Sequence, residues 1–405
     1  MIPKRVVFLM SDTGGGHRAA AGAIRAALER RYPGAYTFEL VDVYRRYTPF
    51  PMNLMPEIYP RWVNWAAASW ELSFRLADGR RRSALVMAAI NRWWGRGMRR
   101  LVDGHRADVV VSVHTLFSRP AMHAYNRWHL FRPPFVSVVT DLVSAHAFAY
   151  EKDADRCLLP TPAAYARGLA LGLESGRLRV TGLPIHPRFL DGLAAKADAR
   201  RQLGWHPDRA AVLISGGADG MGPVFQIARA IDRLGLDIQL AIVAGRNRRL
   251  KHRLEAAAWR GPTFVYPFLD SLAGPMAAAD VLVTKAGPAT ICEACAAGLP
   301  MVLSGAVPGQ EDGNVTYVVE NGAGVYAPSP ELAAAAVRAW LARGPAFLAE
   351  RARCARALAR PDAVWQIADE IHQQAHRPPV RTRLGAQLEA RRPALQQAPE
   401  DGWVL

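Results

Sequence analysis

The sequence predicts an α/β protein with two Rossmann-like domains, each built on a parallel sheet, that face a central cleft. Three observations favour this class: short apolar runs alternate with alanine-rich segments of helical spacing, this rhythm occurs twice, and glycine-rich turns follow several of the runs. Short apolar strands separated by helices are typical of parallel sheets buried on both faces. A chain of 405 residues is long enough for two or three such domains.

Taken in chain order, the expected strands fall into two groups. The first group comprises the apolar runs 6–9, 109–113 and 135–139. A stretch with two prolines and a glycine, Arg179 to Phe189, then interrupts regular structure. The second group comprises the runs 211–214, 238–243, 263–266, 281–283 and 301–303. We therefore expect an N-terminal domain at residues 1–190, a C-terminal domain at 191–375 and a flexible tail at 376–405, which is rich in Pro, Arg and Gln.

Composition excludes several classes of protein. Half of the residues are hydrophobic and 21% are charged, which is typical of globular proteins and not of disordered or collagen-like ones. Four cysteines are too few for a disulfide scaffold. The N-terminus turns polar after five apolar residues, and no apolar run reaches the length of a membrane span. We expect neither a signal peptide nor a transmembrane helix.

Positive charge is concentrated in the first half of the chain. The net charge is +16, and residues 1–190 carry 27 Lys and Arg against 14 Asp and Glu. Such a one-sided field indicates a polyanionic partner, either nucleic acid or an anionic membrane surface. We expect no nucleic acid partner, because zinc-finger spacing, a basic region with heptads and the aromatic strands of an RNA-recognition sheet are all missing. The prediction is a peripheral protein on the cytoplasmic face of an anionic membrane.

Residues 44–100 break the rhythm of strands and helices. This segment holds five of the eleven tryptophans, and 11 Lys and Arg against 3 Asp and Glu. An interfacial membrane element requires aromatic rings at headgroup depth and cations toward anionic lipid. The alternative is a helical excursion packed on the first domain, with tryptophan in its core and arginine at its solvated rim.

A glycine-rich turn links the first strand to the first helix. It reads SDTGGGHR, and Gly15 and Gly16 allow the backbone to pass close to a ligand, while the helix N-terminus behind them offers free N–H groups. The turn matches neither a P-loop nor the dinucleotide-binding fingerprint. His17 stands at the mouth of the expected cleft and is a candidate general base; a structural histidine is the alternative.

Polar residues follow the other N-terminal strands. Asp141 stands at the carboxyl end of the third strand and can orient His17 or bond an acceptor hydroxyl; a turn or cap aspartate is the alternative. His146 follows soon after. His114, after the strand 109–113, is a weaker candidate of the same kind.

The second group of strands leads into two further glycine turns. The first, SGGADGMG at residues 215–222, combines a turn with a helix N-terminus, which suits a diphosphate. The second, within 284–300, precedes Glu293 on a helix, where its carboxylate can take a pair of ribose hydroxyls. Gln310 and Glu311 follow in a polar loop and can hydrogen-bond sugar hydroxyls. A site that pairs buried polar groups with hydroxyls discriminates strongly among sugars. The CxxC at 292–295 has no second pair, so we expect buried cysteines and no metal.

These motifs, in this order and spacing, resemble the monogalactosyldiacylglycerol synthases and related processive diacylglycerol glucosyltransferases of glycosyltransferase family twenty-eight. They are SDTGGGHR, TDL followed by a histidine, RVTGLP, GGADGMGP, AGRNRRL, TKAGPATICEACAAGLP and PGQEDGNVTYVVENGAG, and the resemblance covers about residues 3–375. It implies a GT-B fold, a C-terminal domain that binds a UDP-sugar and an N-terminal domain that binds diacylglycerol at the membrane.

The resemblance also implies a reaction. We expect inverting transfer of galactose from UDP-galactose to 1,2-diacylglycerol, without a metal or another cofactor. UDP-glucose is the alternative donor, and a nucleotide-sugar epimerase is the alternative from a different enzyme class. His17 corresponds to the proposed catalytic histidine of the family, and we expect Asp141 to assist it.

Two sets of binding residues are expected on the two sides of the cleft. The donor set is Gly216, Gly217, Gly220, Arg246, Phe268, Lys285, Ala286, Gly287, Thr290, Glu293, Gln310, Glu311 and Asn314. The acceptor and membrane set is Gly15, Gly16, Pro49, Trp62, Trp65, His146, Phe148 and Tyr150. Residues 47–53 (YTPFPMN) look like the family's T-P-W-P-F-N stretch. After His146 the family has P-T-W-F and this chain has AFAY, so the lipid-contacting tryptophan is missing; Phe148 or Tyr150 can substitute for it.

Overall fold

Two six-stranded parallel sheets form the body of the protein, and the computed structural model describes residues 2–13 and 15–396. The strands of the N-terminal half are β1 (Lys4–Met10), β2 (Tyr36–Asp42), β3 (Val109–Ser112), the two-residue β4 (Phe131–Arg132), β5 (Phe135–Val138), β6 (Arg156–Leu159) and β7 (Leu178–Val180). The order in the first sheet is β2-β1-β3-β5-β6-β7, with every pair parallel.

The second sheet repeats the same doubly wound arrangement. Its strands are β8 (Ala210–Ser215), β9 (Ile238–Val243), β10 (Thr263–Tyr266), β11 (Val281–Lys285), β12 (Met301–Gly305) and β13 (Gly324–Tyr326), and a last short strand, β14 (Val380–Arg381), follows near the end of the chain. The order is β10-β9-β8-β11-β12-β13, again parallel throughout. The predicted α/β class with two parallel sheets is confirmed.

Helices connect the strands and cover the sheets. In the N-terminal half they are α1 (Gly16–Arg31), α2 (Val43–Tyr47), α3 (Met55–Trp65), α4 (Ala67–Ala77), α5 (Arg80–Gly104), α6 (Ser118–Trp128), α7 (Pro162–Ala170) and α8 (Pro187–Asp191). The remaining helices are α9 (Lys196–Leu203), α10 (Val224–Asp232), α11 (Arg248–Glu255), α12 (Ala273–Ala278), α13 (Pro288–Ala297), α14 (Asp312–Glu320), α15 (Pro330–Ala342), α16 (Gly344–Ala357), α17 (Ala363–Ala375) and α18 (Arg383–Gln396).

The first strand shows why these apolar runs form central strands. Side chains alternate between the two faces of a strand, and both faces of β1 are covered. Val6 and Phe8 pack in one cluster with α1, whereas Val7 and Leu9 pack in another with α5 and α6. All four side chains are at most 2% exposed, so the run is apolar at every position.

The end of the chain differs from the predicted domain boundaries. Helix α17 packs against the N-terminal sheet, because Val364, Ile367 and Ile371 share a buried cluster with Val6 and Ile24. The assignment of residues up to 375 to the C-terminal domain is therefore wrong for this helix. The chain passes from the N-terminal half to the C-terminal half before β8 and returns to the N-terminal sheet with α17.

The expectation of a flexible tail is also wrong for residues 376–396. Strand β14 pairs antiparallel with β4, and the backbone N–H of Thr382 donates to the carbonyl of Leu130 at 3.0 Å. Helix α18 follows and lies beside α6. These contacts combine backbone pairing with side-chain hydrogen bonds of Thr382 and Arg383, neither of which a polar composition forbids. Residues 397–405 lie outside the described residues.

Residues 44–100, which interrupt the alternation of strands and helices, include one helix packed in the core and two helices on the surface. Helix α5 packs on α6, and its Trp94 is fully buried in a cluster with Met98 and Leu101. Helices α3 and α4 form a hairpin on the surface, where Trp65 is 89% exposed. The membrane interpretation is thus wrong for Trp94, for which the packed alternative holds. In the described part of the chain, no helix is both long enough and apolar enough to cross a bilayer.

Candidate functional site

A cleft lies between the carboxyl ends of the two sheets, and polar contacts cross it. The Gln310 side-chain Nε2 donates to Asp141 Oδ1 at 3.1 Å, and the Gly313 N–H donates to Ser144 Oγ at 2.9 Å. A Cβ atom at Gly313 would overlap Ser144 Oγ, so glycine allows this close approach. In an open α/β sheet, ligands bind at this edge.

His17 stands in the first turn of α1, where the turn after β1 enters the cleft. Gly15 adopts a φ of 74°, a left-handed conformation that favours glycine, and it caps the helix. The His17 Nδ1 lies 2.8 Å from the carbonyl oxygen of Val113, at the end of β3, and 3.2 Å from Thr140 Oγ1. Gly14 lies outside the described residues.

These contacts fix the tautomer of His17. A carbonyl oxygen can only accept, so Nδ1 carries the proton and Nε2 keeps its lone pair, with no hydrogen-bond partner among the described residues. Burial lowers the pKa of His17, and the negative charge of Asp141 partly offsets that shift. At neutral pH the ring is therefore an uncharged base with a free acceptor nitrogen.

Asp141 and His114 surround this base. Asp141 is buried, and its two carboxylate oxygens accept hydrogen bonds from Thr115 Oγ1 at 3.1 Å and from Gln310. The His114 ring centroid lies 4.3 Å from that of His17 and 4.0 Å from that of Phe117. Burial lowers the pKa of His114 well below its usual range, so it adds no positive charge beside His17. His114 is not an alternative base, because its Nδ1 accepts from the Leu116 N–H at 3.1 Å.

On the opposite wall, two glycine turns surround the amino group of Lys285. In the first turn, a Cβ atom at Gly216 or Gly220 would overlap a backbone carbonyl, and one at Gly217 would lie 3.9 Å from Lys285 Cε. In the second turn, a Cβ atom at Gly287 would lie 3.0 Å from Lys285 Nζ. Backbone N–H groups, a helix N-terminus and an ammonium group in one place suit an anion.

A buried acidic residue and an amide hold this wall together. Lys285 Nζ lies 2.7 Å from Glu311 Oε1, while Glu311 Oε2 accepts from the Val307 N–H at 2.9 Å. Asn314 Nδ2 donates to the Ala286 carbonyl at 2.9 Å. Glu311 and Asn314 therefore shape the turn around Lys285. The predicted direct contact of Glu311 with a sugar stays a prediction, since each of its oxygens has one lone pair left.

Arg246 and Phe268 line the cleft farther along the same wall. The guanidinium of Arg246 lies 4.7 Å from the centroid of the Phe268 ring and donates to Asp219 Oδ1 at 2.8 Å. A Cβ atom at Gly15 would lie 3.7 Å from the Arg246 guanidinium, so this arginine faces the glycine turn before His17. The two half-exposed side chains are free to contact a ligand.

Thr290 and Glu293 stand in the first turns of α13, behind the Lys285 turn. Both are partly buried, and neither side chain hydrogen-bonds another described residue. Burial raises the pKa of Glu293 to about 7. Within the described residues, no group of three or more His, Cys, Asp and Glu side chains is arranged to hold a metal ion.

The acceptor residues that were predicted near His146 are mostly buried. His146 Nδ1 accepts from the Phe148 N–H, and its Nε2 lies 3.2 Å from the Phe74 carbonyl. Tyr150 is fully buried, and its hydroxyl donates to the Ala164 carbonyl at 3.0 Å. Tyr150 is therefore a core residue, and its predicted role as a lipid-contacting substitute is wrong. Phe148 is 9% exposed and lies against His146.

The predicted membrane residues lie on the surface hairpin and beside it. Trp65 is almost fully exposed, but Trp62 donates from its indole Nε1 to Ser69 Oγ at 2.8 Å and packs edge-on against Trp70. Pro49 precedes α3 and is partly buried. Of the two tryptophans, Trp65 is exposed and Trp62 is partly buried.

Three residues of the cleft were missed from the sequence. Thr140 contacts His17, Ser144 accepts from Gly313, and Tyr59 of α3 donates from its hydroxyl to Gln310 Oε1 at 3.1 Å. Thr140 stands directly before Asp141, so strand-end position could have indicated it. No sequence pattern indicated a role for Tyr59, because its partner Gln310 is 251 positions away in the chain.

Family models match both halves of the chain. Residues 17–185 match the model described as monogalactosyldiacylglycerol (MGDG) synthase, and residues 211–366 match the glycosyltransferase family 28 C-terminal domain. A probable monogalactosyldiacylglycerol synthase of Glycine max is 35% identical over 379 residues, which cover 92% of this chain and 71% of the relative. The chain belongs to the monogalactosyldiacylglycerol synthase family. It is therefore a glycosyltransferase, as expected, of the class that uses UDP-sugars to transfer hexoses.

Solved structures share the fold of this family member at low sequence identity. MurG of Acinetobacter baumannii superposes with a TM-score of 0.59 at 17% identity, over 92% of this chain and all of MurG. UDP-GlcNAc 2-epimerase from Neisseria meningitidis has a TM-score of 0.54 at 11% identity, over 91% of this chain and all of the epimerase. The GT-B fold is thus confirmed. Because transferases and epimerases share it, the family match, and not the fold, decides between the two enzyme classes.

Proposed function

We propose that the protein transfers galactose from UDP-galactose to the free hydroxyl of 1,2-diacylglycerol, with inversion at the anomeric carbon and without a metal or cofactor. Membership of the family supports the substrates, since its named relatives are monogalactosyldiacylglycerol synthases. The observation that carries the mechanism is the neutral His17, whose Nδ1–H is held by Val113 and whose Nε2 is free across the cleft from the Lys285 turn.

The chemical step uses His17 as a general base. Its Nε2 takes the proton of the diacylglycerol hydroxyl while the hydroxyl oxygen forms a bond to the anomeric carbon. The bond from that carbon to the diphosphate oxygen breaks on the opposite face, and UDP leaves with the electron pair. The imidazolium that forms is stabilised by the charge of Asp141, which already acts on His17 in the free protein.

Negative charge that develops on the leaving diphosphate is stabilised by the opposite wall. Lys285 Nζ, the N–H groups of the glycine turns and the N-terminus of α13 act at one place. Arg246, which lies over the Phe268 ring farther along the wall, is the further residue that we expect to bind the diphosphate.

This arrangement leads us to expect full activity in excess EDTA, because protein groups stabilise the leaving group. Initial rates with the chelator, without it, and with added magnesium or manganese measure the dependence. Loss of activity in EDTA with rescue by either metal would contradict the metal-independent mechanism.

Binding of UDP is expected to release protons near neutral pH. Since burial raises the pKa of Glu293 to about 7, about half of these carboxyls are protonated at that pH in the free protein. Two ribose hydroxyls that donate to the carboxylate favour its charged form, so binding lowers this pKa and UDP affinity rises as the pH increases through about 7. Calorimetry in buffers with different ionisation enthalpies counts the released protons.

Glu293→Gln is the matched control for this pH dependence, because glutamine keeps the shape and cannot titrate. The variant should release fewer protons on binding UDP than the wild type does. Equal proton release by both proteins would contradict the assignment of Glu293 to the ribose.

Peripheral attachment to an anionic membrane is proposed for the surface around α3, α4 and α5. Of the seventeen large hydrophobic side chains that are exposed in the described residues, eight fall within residues 50–93: Phe50, Leu54, Trp65, Leu72, Leu76, Leu85, Val86 and Trp93. Exposed arginines alternate with them: Arg61, Arg75, Arg80, Arg81, Arg82 and Arg92. Apolar side chains and cations on one surface are the requirement for binding at a lipid interface.

The protein is expected to sediment with vesicles that contain phosphatidylglycerol and to bind poorly to purely zwitterionic ones. Each basic residue near an anionic surface contributes about 1 kcal/mol, which salt screens, whereas inserted apolar groups resist salt. The double variant Trp65→Ala/Leu72→Ala should lose most of the salt-resistant binding. Leu332→Ala, an equally exposed leucine of α15 in the other domain, should bind as the wild type does. Binding that ignores lipid charge, or equal losses in both variants, would contradict the proposal.

The donor and acceptor are tested together by a competition experiment. The protein is incubated with diacylglycerol in vesicles and equal concentrations of UDP-galactose and UDP-glucose, and the lipid products are separated and identified. We expect galactosyldiacylglycerol to predominate. A glucosyl lipid as the main product would replace the donor assignment, and no glycolipid with either donor would refute the proposed reaction.

A further inference from the structure

The surface hairpin of α3 and α4 forms part of the wall of the donor site. Tyr59, on α3, reaches Gln310 with its hydroxyl. On α4, Phe74 lies so close to Gly309 that a Cβ atom there would be 3.1 Å from its ring, and Arg75 lies 3.8 Å from Asp312. The hairpin therefore covers the loop that precedes α14 at two places and contacts the first residue of this helix.

Both ends of the Gln310 amide are held by the N-terminal half of the chain. Oε1 accepts from the Tyr59 hydroxyl at 3.1 Å, and Nε2 donates to Asp141 at 3.1 Å. Burial raises the pKa of Tyr59, so its hydroxyl is protonated and donates at neutral pH. A carboxylate only accepts, so Asp141 selects the orientation in which Nε2 faces it, and the Tyr59 hydroxyl then holds the amide oxygen by donating to it.

We infer that Tyr59 is a positioning residue of the donor-sugar site, which acts by holding the amide oxygen of Gln310 in place. This inference rests on the proposed function and on the sequence-based prediction that Gln310 bonds the sugar of the UDP-sugar. With one N–H and one oxygen lone pair still free, an oriented amide offers the sugar a donor and an acceptor at fixed places. Without the Tyr59 hydroxyl, the oxygen end of the amide would lose this support, and the site would bind the matching sugar hydroxyls more weakly.

Tyr59→Phe tests the role of the hydroxyl, since the ring that packs edge-on against Trp70 is kept. In calorimetry on the full chain, the variant should bind UDP-galactose about 3- to 10-fold more weakly, the usual effect of one hydrogen bond, and bind UDP as tightly as the wild type does. Tyr36→Phe is the matched control, because the Tyr36 hydroxyl contacts His372 at the amino end of β2, which is the end opposite the cleft. It should change neither affinity.

A double-mutant cycle with Gln310→Ala separates positioning from general packing. If Tyr59 acts through Gln310, Tyr59→Phe should cause no further loss in the Gln310→Ala background. Wild-type affinity of Tyr59→Phe for UDP-galactose, equal losses for UDP and UDP-galactose, or an undiminished loss in the Gln310→Ala background would overturn the inference.

The same titrations distinguish failure of the inference from failure of the proposed function. If the wild type prefers UDP-glucose, the donor assignment fails, and the series with UDP-glucose then decides the role of Tyr59 by the same criteria. If the wild type binds neither UDP-sugar, the proposed function fails and the inference fails with it.

Discussion

Replacing His17 by alanine is expected to lower the turnover number by about 100- to 10,000-fold, the usual contribution of a positioned base. The affinity for UDP should stay nearly unchanged, because His17 lies on the acceptor side of the cleft. Since burial lowers the pKa of His17, the wild-type rate should also persist to more acidic pH than an ordinary histidine allows. Turnover with saturating donor, UDP titration and a pH profile measure these effects.

The control for His17 is His252→Ala, which removes an exposed histidine of α11. This variant should keep wild-type turnover. If His17→Ala retained a tenth or more of the wild-type turnover, another group would have to be the base.

The second large effect concerns stability. Trp94→Ala should lower the free energy of unfolding by about 3–5 kcal/mol, because it opens a cavity beneath α5 in a fully buried cluster. Urea denaturation followed by circular dichroism measures the change. Trp94→Phe, which keeps an aromatic ring, should cost clearly less, since the Trp94 indole N–H has no hydrogen-bond partner to lose among the described residues.

Trp65→Ala is the matched control for Trp94, because both belong to the tryptophan-rich segment and Trp65 is 89% exposed. We expect its stability to lie within about 0.5 kcal/mol of the wild type. Equal stability losses at the two positions would contradict the division of this segment into a core half and a surface half.

Most of the central parallel strands could be predicted because they are apolar at nearly every position. Each of the eight apolar runs overlaps a strand, from β1 in the first sheet to β12 in the second. The missed strands of the two sheets, β2, β6, β7 and β13, carry weaker patterns because they are short or contain polar residues. β2, β7 and β13 form sheet edges, and half-exposed positions interrupt the apolar run of β2.

The path of α17 could not be predicted from its own residues. Its apolar spacing shows that one face is buried, but it does not show which sheet covers that face. The partners Val6 and Ile24 are more than 300 positions away in the chain. The tail was misjudged for a related reason, since β14 is held by backbone pairing with β4.

In the site, glycine turns and polar residues at strand ends could be predicted, because the carboxyl ends of parallel strands meet at one edge. His17, Asp141, Lys285 and Gln310 are brought to this cleft. The contact of Tyr59 with Gln310 could not be predicted, since it depends on how the surface hairpin folds back over the C-terminal half. The burial of Tyr150 was missed because an aromatic side chain near a ligand-binding motif is compatible both with a position in the core and with contact to the ligand.

The proposed reaction is an inverting transfer of galactose to diacylglycerol that uses a single base. Proton NMR of the purified lipid product tests it most directly, because the coupling of the anomeric proton reports the configuration of the new bond and the coupling at C4 distinguishes galactose from glucose. Starting from UDP-α-galactose, the mechanism predicts a β-galactosyl lipid. An α-linked product would contradict the single displacement assisted by His17, and a glucosyl product would contradict the assigned donor.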